Sequence, residues 1–413
     1  MTIGSLNALG GTYDGETQLD TLTRLSIAFL DGFETSGVGG TRRQATPAAC
    51  PGPAANLAKD LWRYLFAYHA LMPVQALTYH LQALINFELF SYTLKLVHAI
   101  NDLVRTPENL PTAMQKNSAP SPPEIYVDFT GVPGNLSQEM AGACVRRDFE
   151  AYQQFLASNL RLRLLHRYVE TLRRSPARRV TIDAVMPSPN TGPLYLQGLL
   201  LLQNDPTLDA HLQASARVDE DRIRRENAPD DDGDAPTELV WLDALVATAE
   251  TDVDRVVHLL TVALQREGLG NYAKWFSGSG GLTKPHGLLQ GTTGSRQGWR
   301  YAPSNDLLAV LVQLAAARET TAGEADATPQ PIRLQDFLAF LETRFGLIVD
   351  RPPAPFVGAE YAAAARDNLR AMLDRLRQMG IFRDLSDDFT VQRLQPPYAA
   401  EPTEPATRRR SAR

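Results

Sequence analysis

The fold is decided by residues 61–104, LWRYLFAYHALMPVQALTYHLQALINFELFSYTLKLVHAINDLV. Apart from Pro73, every residue in this stretch is compatible with a helix, and residues 77–97 are apolar on almost every face. A helix that is apolar all round is usually buried on all sides, because a surface helix keeps one polar face. A single helix over residues 73–104 would be about 45 Å long at 1.5 Å per residue. The stretch therefore predicts the central helix of a large helical domain.

The composition is that of an ordinary globular protein. The chain has 413 residues, of which 44% are apolar and 21% charged, with a net charge of −6. This length predicts two to three domains, and the charge gives no global attraction to nucleic acid or anionic lipid. A net charge of this size is still compatible with a local basic face.

Three observations indicate a cytoplasmic protein. The best membrane candidate, residues 77–100, carries His80, Glu88, Lys95 and His98, and charges at bilayer depth cost a few kcal/mol each. No basic region followed by an apolar run begins the chain, so no signal peptide is expected. The two cysteines, far apart and outside any CxxC spacing, suit a reducing compartment.

The remaining elements follow from periodicity, caps and turn residues. Helices are predicted over residues 17–31, 57–71, 73–104, 137–173, 192–203, 237–268, 304–317, 334–345 and 360–379. Strands are predicted over residues 124–131 and 180–188, and a β-hairpin over residues 381–394 turns at residues 386–388. The predicted fold is mainly α, with a few short strands.

This order predicts a large helical N-terminal domain and a winged-helix-like C-terminal domain of three helices and a hairpin. The predicted segments are a helical core domain (1–218), an acidic linker (219–236), a helix with a Gly-rich loop (237–298), the winged-helix-like domain (299–398) and a disordered tail (399–413).

The Gly-rich segment, residues 268–298, has some features of a phosphate-binding loop. Its GSGGLTK run lacks the GxxxxGK[ST] spacing, and Pro285 follows Lys284. A connecting loop is the better interpretation. Its basic and aromatic side chains could still contact phosphates or stack on bases, the candidates being Lys284, Arg296, Trp299 and Arg300. In the alternative interpretation, Trp299 and Tyr301 only anchor the next helix.

The third C-terminal helix places Arg366, Arg370 and Arg377 on nearly one side. In a winged helix this face could enter a major groove. The interleaved Asp367 and Asp374 oppose phosphate contact, which favours partner binding over DNA binding.

No metal or cofactor is predicted, and no catalytic constellation is visible. The histidines of the central helices lack the i, i+3 or i+4 partner that a helical metal site needs. The acidic run at residues 230–234 lacks the later glutamate of an EF-hand loop. These features favour a non-catalytic protein. The alternative is an enzyme with an unfamiliar site that uses His80, Glu88 or Asp128, which a buried cluster of these groups would favour.

Three segments carry a family resemblance: EIYVDFTG (124–131), WRYAPSNDLLAVLVQLA (299–315) and LQDFLAFLETRFGLIVD (334–350). Together they resemble helical accessory proteins encoded in bacterial multi-gene phage-defence operons, beside motor ATPases and nucleases. The resemblance implies a non-catalytic subunit of a DNA-targeting complex, with an ATPase, helicase or nuclease as partner. It carries over no catalytic residue. The remaining alternative is a stand-alone winged-helix DNA-binding regulator.

Overall fold

The computed structural model describes residues 48–115, 123–186, 192–226, 246–317, 329–382 and 392–399. All of these residues belong to one unit, Pro47–Arg413. The predicted helix over residues 17–31 and the predicted hairpin turn at residues 386–388 lie outside the described residues. The described chain is mainly α with short strands, which confirms the predicted fold class.

The elements are numbered here in chain order. The helices are α1 (Pro51–Tyr68), α2 (Val74–Arg105), α3 (Leu136–Leu172), α4 (Pro176–Val185), α5 (Pro193–Leu201), α6 (Pro206–Glu226), α7 (Asp252–Ser279), α8 (Asn305–Ala316), α9 (Leu334–Phe345) and α10 (Ala359–Gln378). The strands are β1 (Ile125–Tyr126), β2 (Leu289–Thr292), β3 (Ser295–Tyr301), β4 (Ile332–Arg333), β5 (Leu347–Ile348) and β6 (Arg393–Leu394). Short 3-10 turns occupy Thr112–Met114 and Leu202–Asn204.

Helix α2 is the long helix that the apolar stretch predicts, and it begins directly after Pro73. Its burial is not complete, however. Ile85 is 39% exposed and Leu89 is 46% exposed, so one stripe of α2 faces away from the core. The expectation of burial on every side is therefore wrong for this stripe.

Three long helices run through two hydrophobic cores. The first core contains α1, the part of α2 up to Val97, the start of α3 and the end of α7, together with α8, α9 and α10. The second core contains the C-terminal half of α2, the rest of α3 and the start of α7, packed against α4, α5 and α6. Helices α2, α3 and α7 therefore hold the two cores together.

The strands make three small sheets. Strands β1 and β5 pair in parallel, with Ile125 opposite Leu347. Strands β2 and β3 form an antiparallel hairpin. Strand β6 pairs antiparallel with β4, and its Leu394 also bridges to Phe382.

Two predicted segments adopt a different structure. Residues 176–185 form helix α4 rather than a strand, because Pro176 fits the first helical turn and Ile182 is completely buried in the second core. The predicted Gly-rich loop begins instead as the end of α7. Tyr272 and Phe276 continue the apolar face of that helix against Tyr152, and this packing outweighs the low helix propensity of Gly268.

The rest of the predicted loop is a tight turn followed by the β2–β3 hairpin. Gly281 has φ of +76°, and a Cβ added at Gly287 would lie only 2.0 Å from the Gly281 carbonyl oxygen. The turn closes because the amides of Leu288 and Leu289 both donate to the Gly280 carbonyl, at 3.0 and 2.8 Å. Glycine is therefore required here by close backbone contact rather than by flexibility.

Candidate functional site

A cavity of about 550 Å³ lies beside the C-terminal half of α2. One wall is a single face of that helix, and the other is formed by the chain that follows it. The helix contributes Lys95, His98, Ala99 and Asp102, and Thr106 follows at its C-terminal end. The facing chain contributes Asn109, Leu110, Pro111, Thr112, Ala113 and Pro123. This volume lies in the range of small-molecule sites.

The imidazole of His98 is oriented from behind by a buried carboxylate. Its Nε2 lies 3.0 Å from Oδ1 of Asp148, a side chain with no solvent exposure. The same carboxylate accepts hydrogen bonds from Arg147 Nε at 2.9 Å and from the Tyr301 hydroxyl at 2.9 Å. Because a carboxylate only accepts, Nε2 of His98 carries a proton and Nδ1 is the ring nitrogen left for the cavity.

Lys95 connects the cavity to a cluster of buried charges. Its Nζ donates to the carbonyl oxygen of Arg344 at 3.1 Å, and the Arg344 guanidinium contacts Asp60 at 2.7 Å. Burial lowers the pKa of Lys95 to about 8. Burial, and then the neighbouring Asp60 carboxyl, raise the pKa of Glu88 to about 8, and Glu88 Oε1 has no hydrogen-bond partner among the described residues. This cluster is held together by α1, α2 and α9.

Part of this site could be recognised from the sequence. Lys95, His98 and Asp102 are spaced by three and four residues, which places polar groups on one face of an otherwise apolar helix. The partner of His98 is 50 residues away on α3, and no local motif connects the two. The pairing therefore depends on how α2 packs against α3.

A second surface feature lies on the outer face of α1. The rings of Trp62 and Phe66 stack with centroids 5.4 Å apart, and they are 47% and 50% exposed. Leu71, in the turn before α2, and Val74, the first residue of α2, are also exposed. Exposed aromatic side chains that lie together are typical of protein-binding surfaces. We call these four residues the α1 apolar patch. The patch could have been recognised from the sequence, because α1 carries aromatic residues on two opposite faces and only one of these faces can pack against the core.

The candidate residues of the Gly-rich segment lie in different environments. Lys284 and Arg296 are exposed, and the Arg296 guanidinium lies 4.8 Å from the centre of the Phe149 ring. Trp299 is only 5% exposed, and its indole nitrogen donates to the Thr292 carbonyl at 2.8 Å. Arg300 is partly buried, with Nε 3.5 Å from Asp128 Oδ2.

The candidate arginines of α10 lie on its exposed side. Arg366 is exposed. Arg370 pairs with Asp367 at 2.7 Å, and Arg377 pairs with Asp374 at 2.5 Å. In each pair the aspartate and the arginine are one helical turn apart and both are exposed. The aspartates therefore partly neutralise the positive charge of this face, as their positions between the arginines in the sequence suggest. The role of this face and of the Gly-rich segment in binding remains a prediction.

The three residues of the enzyme alternative lie in three networks with no member in common. His80 contacts the Tyr64 hydroxyl and Gln313 Oε1, both at 3.0 Å. Glu88 belongs to the charge cluster next to Lys95. Asp128 Oδ1 accepts from Ser137 at 2.9 Å and from the Thr130 hydroxyl. The structure does not gather the three into one cluster.

Two further observations concern the described residues alone. Among them, no group of three or more His, Cys, Asp and Glu side chains is placed to hold a metal ion. None of the helices described is both long enough and apolar enough to cross a membrane.

Comparison with known proteins gives one result. No curated protein and no solved structure matches the chain. The model of one protein family, described as methylation-associated defense system protein MAD7, matches residues 4–398. This match covers nearly the whole chain and agrees with the resemblance to phage-defence accessory proteins. The chain therefore belongs to the MAD7 family and is a component of a methylation-associated defence system.

Proposed function

We propose that this protein is a non-catalytic subunit of a bacterial, cytoplasmic multi-protein complex that acts on DNA in anti-phage defence. In this complex it serves as a scaffold or adaptor for an ATPase, helicase or nuclease. The family match supports a role beside other defence proteins.

The observation that carries the proposal is the α1 apolar patch. Trp62 and Phe66 leave about half of their surface in water, although α1 buries Tyr64 and Tyr68 completely on its opposite face. Tryptophan is among the residues most enriched at binding hot spots, and aromatic residues in general are enriched at the centres of protein interfaces. A partner that covered the patch would remove this apolar surface from water.

The test is co-expression of the tagged protein with the other proteins of its defence system, followed by size-exclusion chromatography and affinity measurement. We expect a stoichiometric complex. The double variant Trp62→Ala with Phe66→Ala should weaken binding at least about tenfold, because one hot-spot side chain contributes more than about 1 kcal/mol. Val180→Ala on α4, where Val180 is 74% exposed, is the matched control and should bind normally.

The outcomes separate two parts of the proposal. If no defence-system protein forms a stable complex with the wild type, the subunit proposal is wrong. If a complex forms and the double variant binds as tightly as the wild type, the partner docks elsewhere and the α1 apolar patch is not the interface.

One observation favours a second function, a winged-helix DNA-binding regulator. Strand β4 precedes α9, and β6 follows α10 and pairs with both β4 and Phe382. Three helices with a small antiparallel sheet in this order are the pattern of a winged helix. The arrangement places Arg366 and Arg370 on the exposed face of α10, the third helix.

This alternative predicts salt-dependent binding to DNA. Arg366→Ala with Arg370→Ala should weaken binding and lower the slope of log K against log salt by about two, because each arginine would release about one counterion. The control pair, Arg163→Ala with Arg179→Ala on α3 and α4, makes the same charge change and should leave the slope unchanged. Titration of labelled DNA duplex at several salt concentrations measures the affinity and the slope for the wild type and for both double variants. If the wild type has no measurable affinity for DNA, this function is excluded.

A further inference from the structure

The charge cluster behind the cavity contains one cation that makes no salt bridge among the described residues. Arg344 is paired with Asp60, which its Nε and Nη2 both contact at 2.7 Å. Lys95 Nζ donates to the Arg344 carbonyl and lies 5.9 Å from the centre of the Phe345 ring, and no carboxylate of the described residues lies within 4.0 Å of it. Burial raises the pKa of Glu88, which reduces the negative charge that this carboxyl offers to Lys95.

Removing an ammonium group from water costs free energy, and its pKa falls for that reason. The lowered pKa of Lys95 has desolvation as its largest cause. An anion in the adjoining cavity would offset this cost by placing a negative charge beside the ammonium group.

His98 lines the cavity one turn after Lys95, on the same helix face. Its ring is held in place by Asp148, whose Oδ1 lies 3.0 Å from Nε2. Asp148 is also paired with Arg147 at 2.8 Å.

The opposite end of the cavity has a different character. Asp102 lines the mouth, is 60% exposed and pairs with Arg105 at 3.3 Å. Thr106, Asn109 and Thr112 add neutral hydrogen-bonding groups. The cavity is therefore cationic at its inner end and polar, with one carboxylate, at its mouth.

We propose that this cavity binds a small organic anion, with its carboxylate or phosphate group at Lys95 and a hydrogen-bond donor toward Asp102. This site goes beyond the proposed scaffold function and does not depend on the α1 apolar patch. Carboxylates and phosphates share the chemistry that a lysine ammonium group recognises.

The experiment uses the full-length protein and three probes: inorganic phosphate, pyrophosphate and citrate. Thermal unfolding is followed as each probe is added, with sodium chloride at equal ionic strength as reference. We expect at least one probe to raise Tm saturably, by about 2–5 °C at millimolar concentration. Comparing the rise in Tm with phosphate and pyrophosphate to the rise with citrate shows whether the site prefers phosphate groups or carboxylates.

Lys95→Met keeps the apolar stem and removes the charge, and it should abolish the rise in Tm. Lys274→Met, an exposed lysine on α7, is the matched control and should respond as the wild type does. Thr106→Trp narrows the mouth without touching the buried cluster, and it should also abolish the response. This second variant tests the site even if Lys95→Met fails to fold.

Calorimetry adds a readout that a surface site would not give. At pH 8, near the pKa of Lys95, an anion that binds beside this amine should draw a proton onto it. The wild type should therefore take up a fraction of a proton on binding, measured in buffers of different ionisation enthalpy. The proposal is wrong if no probe exceeds sodium chloride, or if Lys95→Met and Thr106→Trp respond like the wild type.

Discussion

The buried carboxylates of this protein differ in what their oxygen atoms contact. Asp148 accepts hydrogen bonds from three side chains and has no exposed surface. Glu88 is 4% exposed and leaves Oε1 without a partner among the described residues. Burial without enough hydrogen-bond donors favours the protonated form of a carboxyl group, and it raises the pKa of Glu88. Glu88 therefore makes the stability of the protein depend on pH.

Glu88→Gln tests this dependence. The pKa of Glu88 rises from an ordinary 4.5 to about 8 on folding, so between these values the folded state holds a proton that the unfolded state has lost. The stabilising effect of this proton is complete below pH 4.5 and is lost as pH rises toward 8. The free energy of unfolding should thus fall by about 2 kcal/mol between pH 5.5 and 7.5 in the wild type, relative to the glutamine variant.

Urea unfolding of both proteins at several pH values measures this difference. Groups such as His80 and His286, whose pKa values burial lowers, titrate in both proteins and cancel in the comparison. Parallel curves for the two proteins over this pH range would show that Glu88 is ionised in the folded state.

At the level of elements, the turn between α7 and the β2–β3 hairpin depends on two glycines in contact. Gly281 and Gly287 approach so closely that a side chain on either would overlap the backbone of the other. This turn positions Trp299 and Tyr301, which pack on Phe276 and Phe90 of the first core. The glycine-rich composition therefore reflects packing as well as turn formation.

Gly287→Ala should destabilise the protein by more than about 3 kcal/mol, because the contact at 2.0 Å involves backbone and cannot relax cheaply. Gly298→Ala in β3 has open space around it and should change stability by less than about 1 kcal/mol. Thermal and urea unfolding measure both. Equal stability of the two variants would contradict the close contact of Gly281 and Gly287.

Element boundaries were predictable where local chemistry decides them. Pro73 precedes α2, Ser304 caps α8, and Gly346 follows the last residue of α9, as the sequence predicts. The end of α7 was not predictable, because Gly268 is kept helical by the aromatic contacts of Tyr272 and Phe276 with α3. Those contacts join residues more than 100 positions apart in the chain.

At the scale of the whole molecule, the mainly α class was predictable from the periodicity, but the way distant segments meet was not. The first core unites α1, α2 and α3 with helices from the last third of the chain. The same limitation applies to the cavity. The polar face of α2 could be derived from its spacing, whereas Asp148 and Arg344 reach it only through tertiary packing.

The side-chain amide of Asn368 connects segments that are far apart in the chain. Asn368 donates to the Val127 carbonyl at 2.8 Å and to the Val349 carbonyl at 3.0 Å, and its oxygen accepts from the Phe129 amide at 2.7 Å. It thereby joins the ends of β1 and β5 to α10.

Asn368 and Val127 are 241 residues apart in the chain. At about 5–20 residues per second, translation therefore takes roughly 10–50 s to proceed from β1 to Asn368 on α10. During that time the faces of α2 and α3 that pack against α8, α9 and α10 lack these partners. The first core can therefore be completed only after α10 has been synthesised.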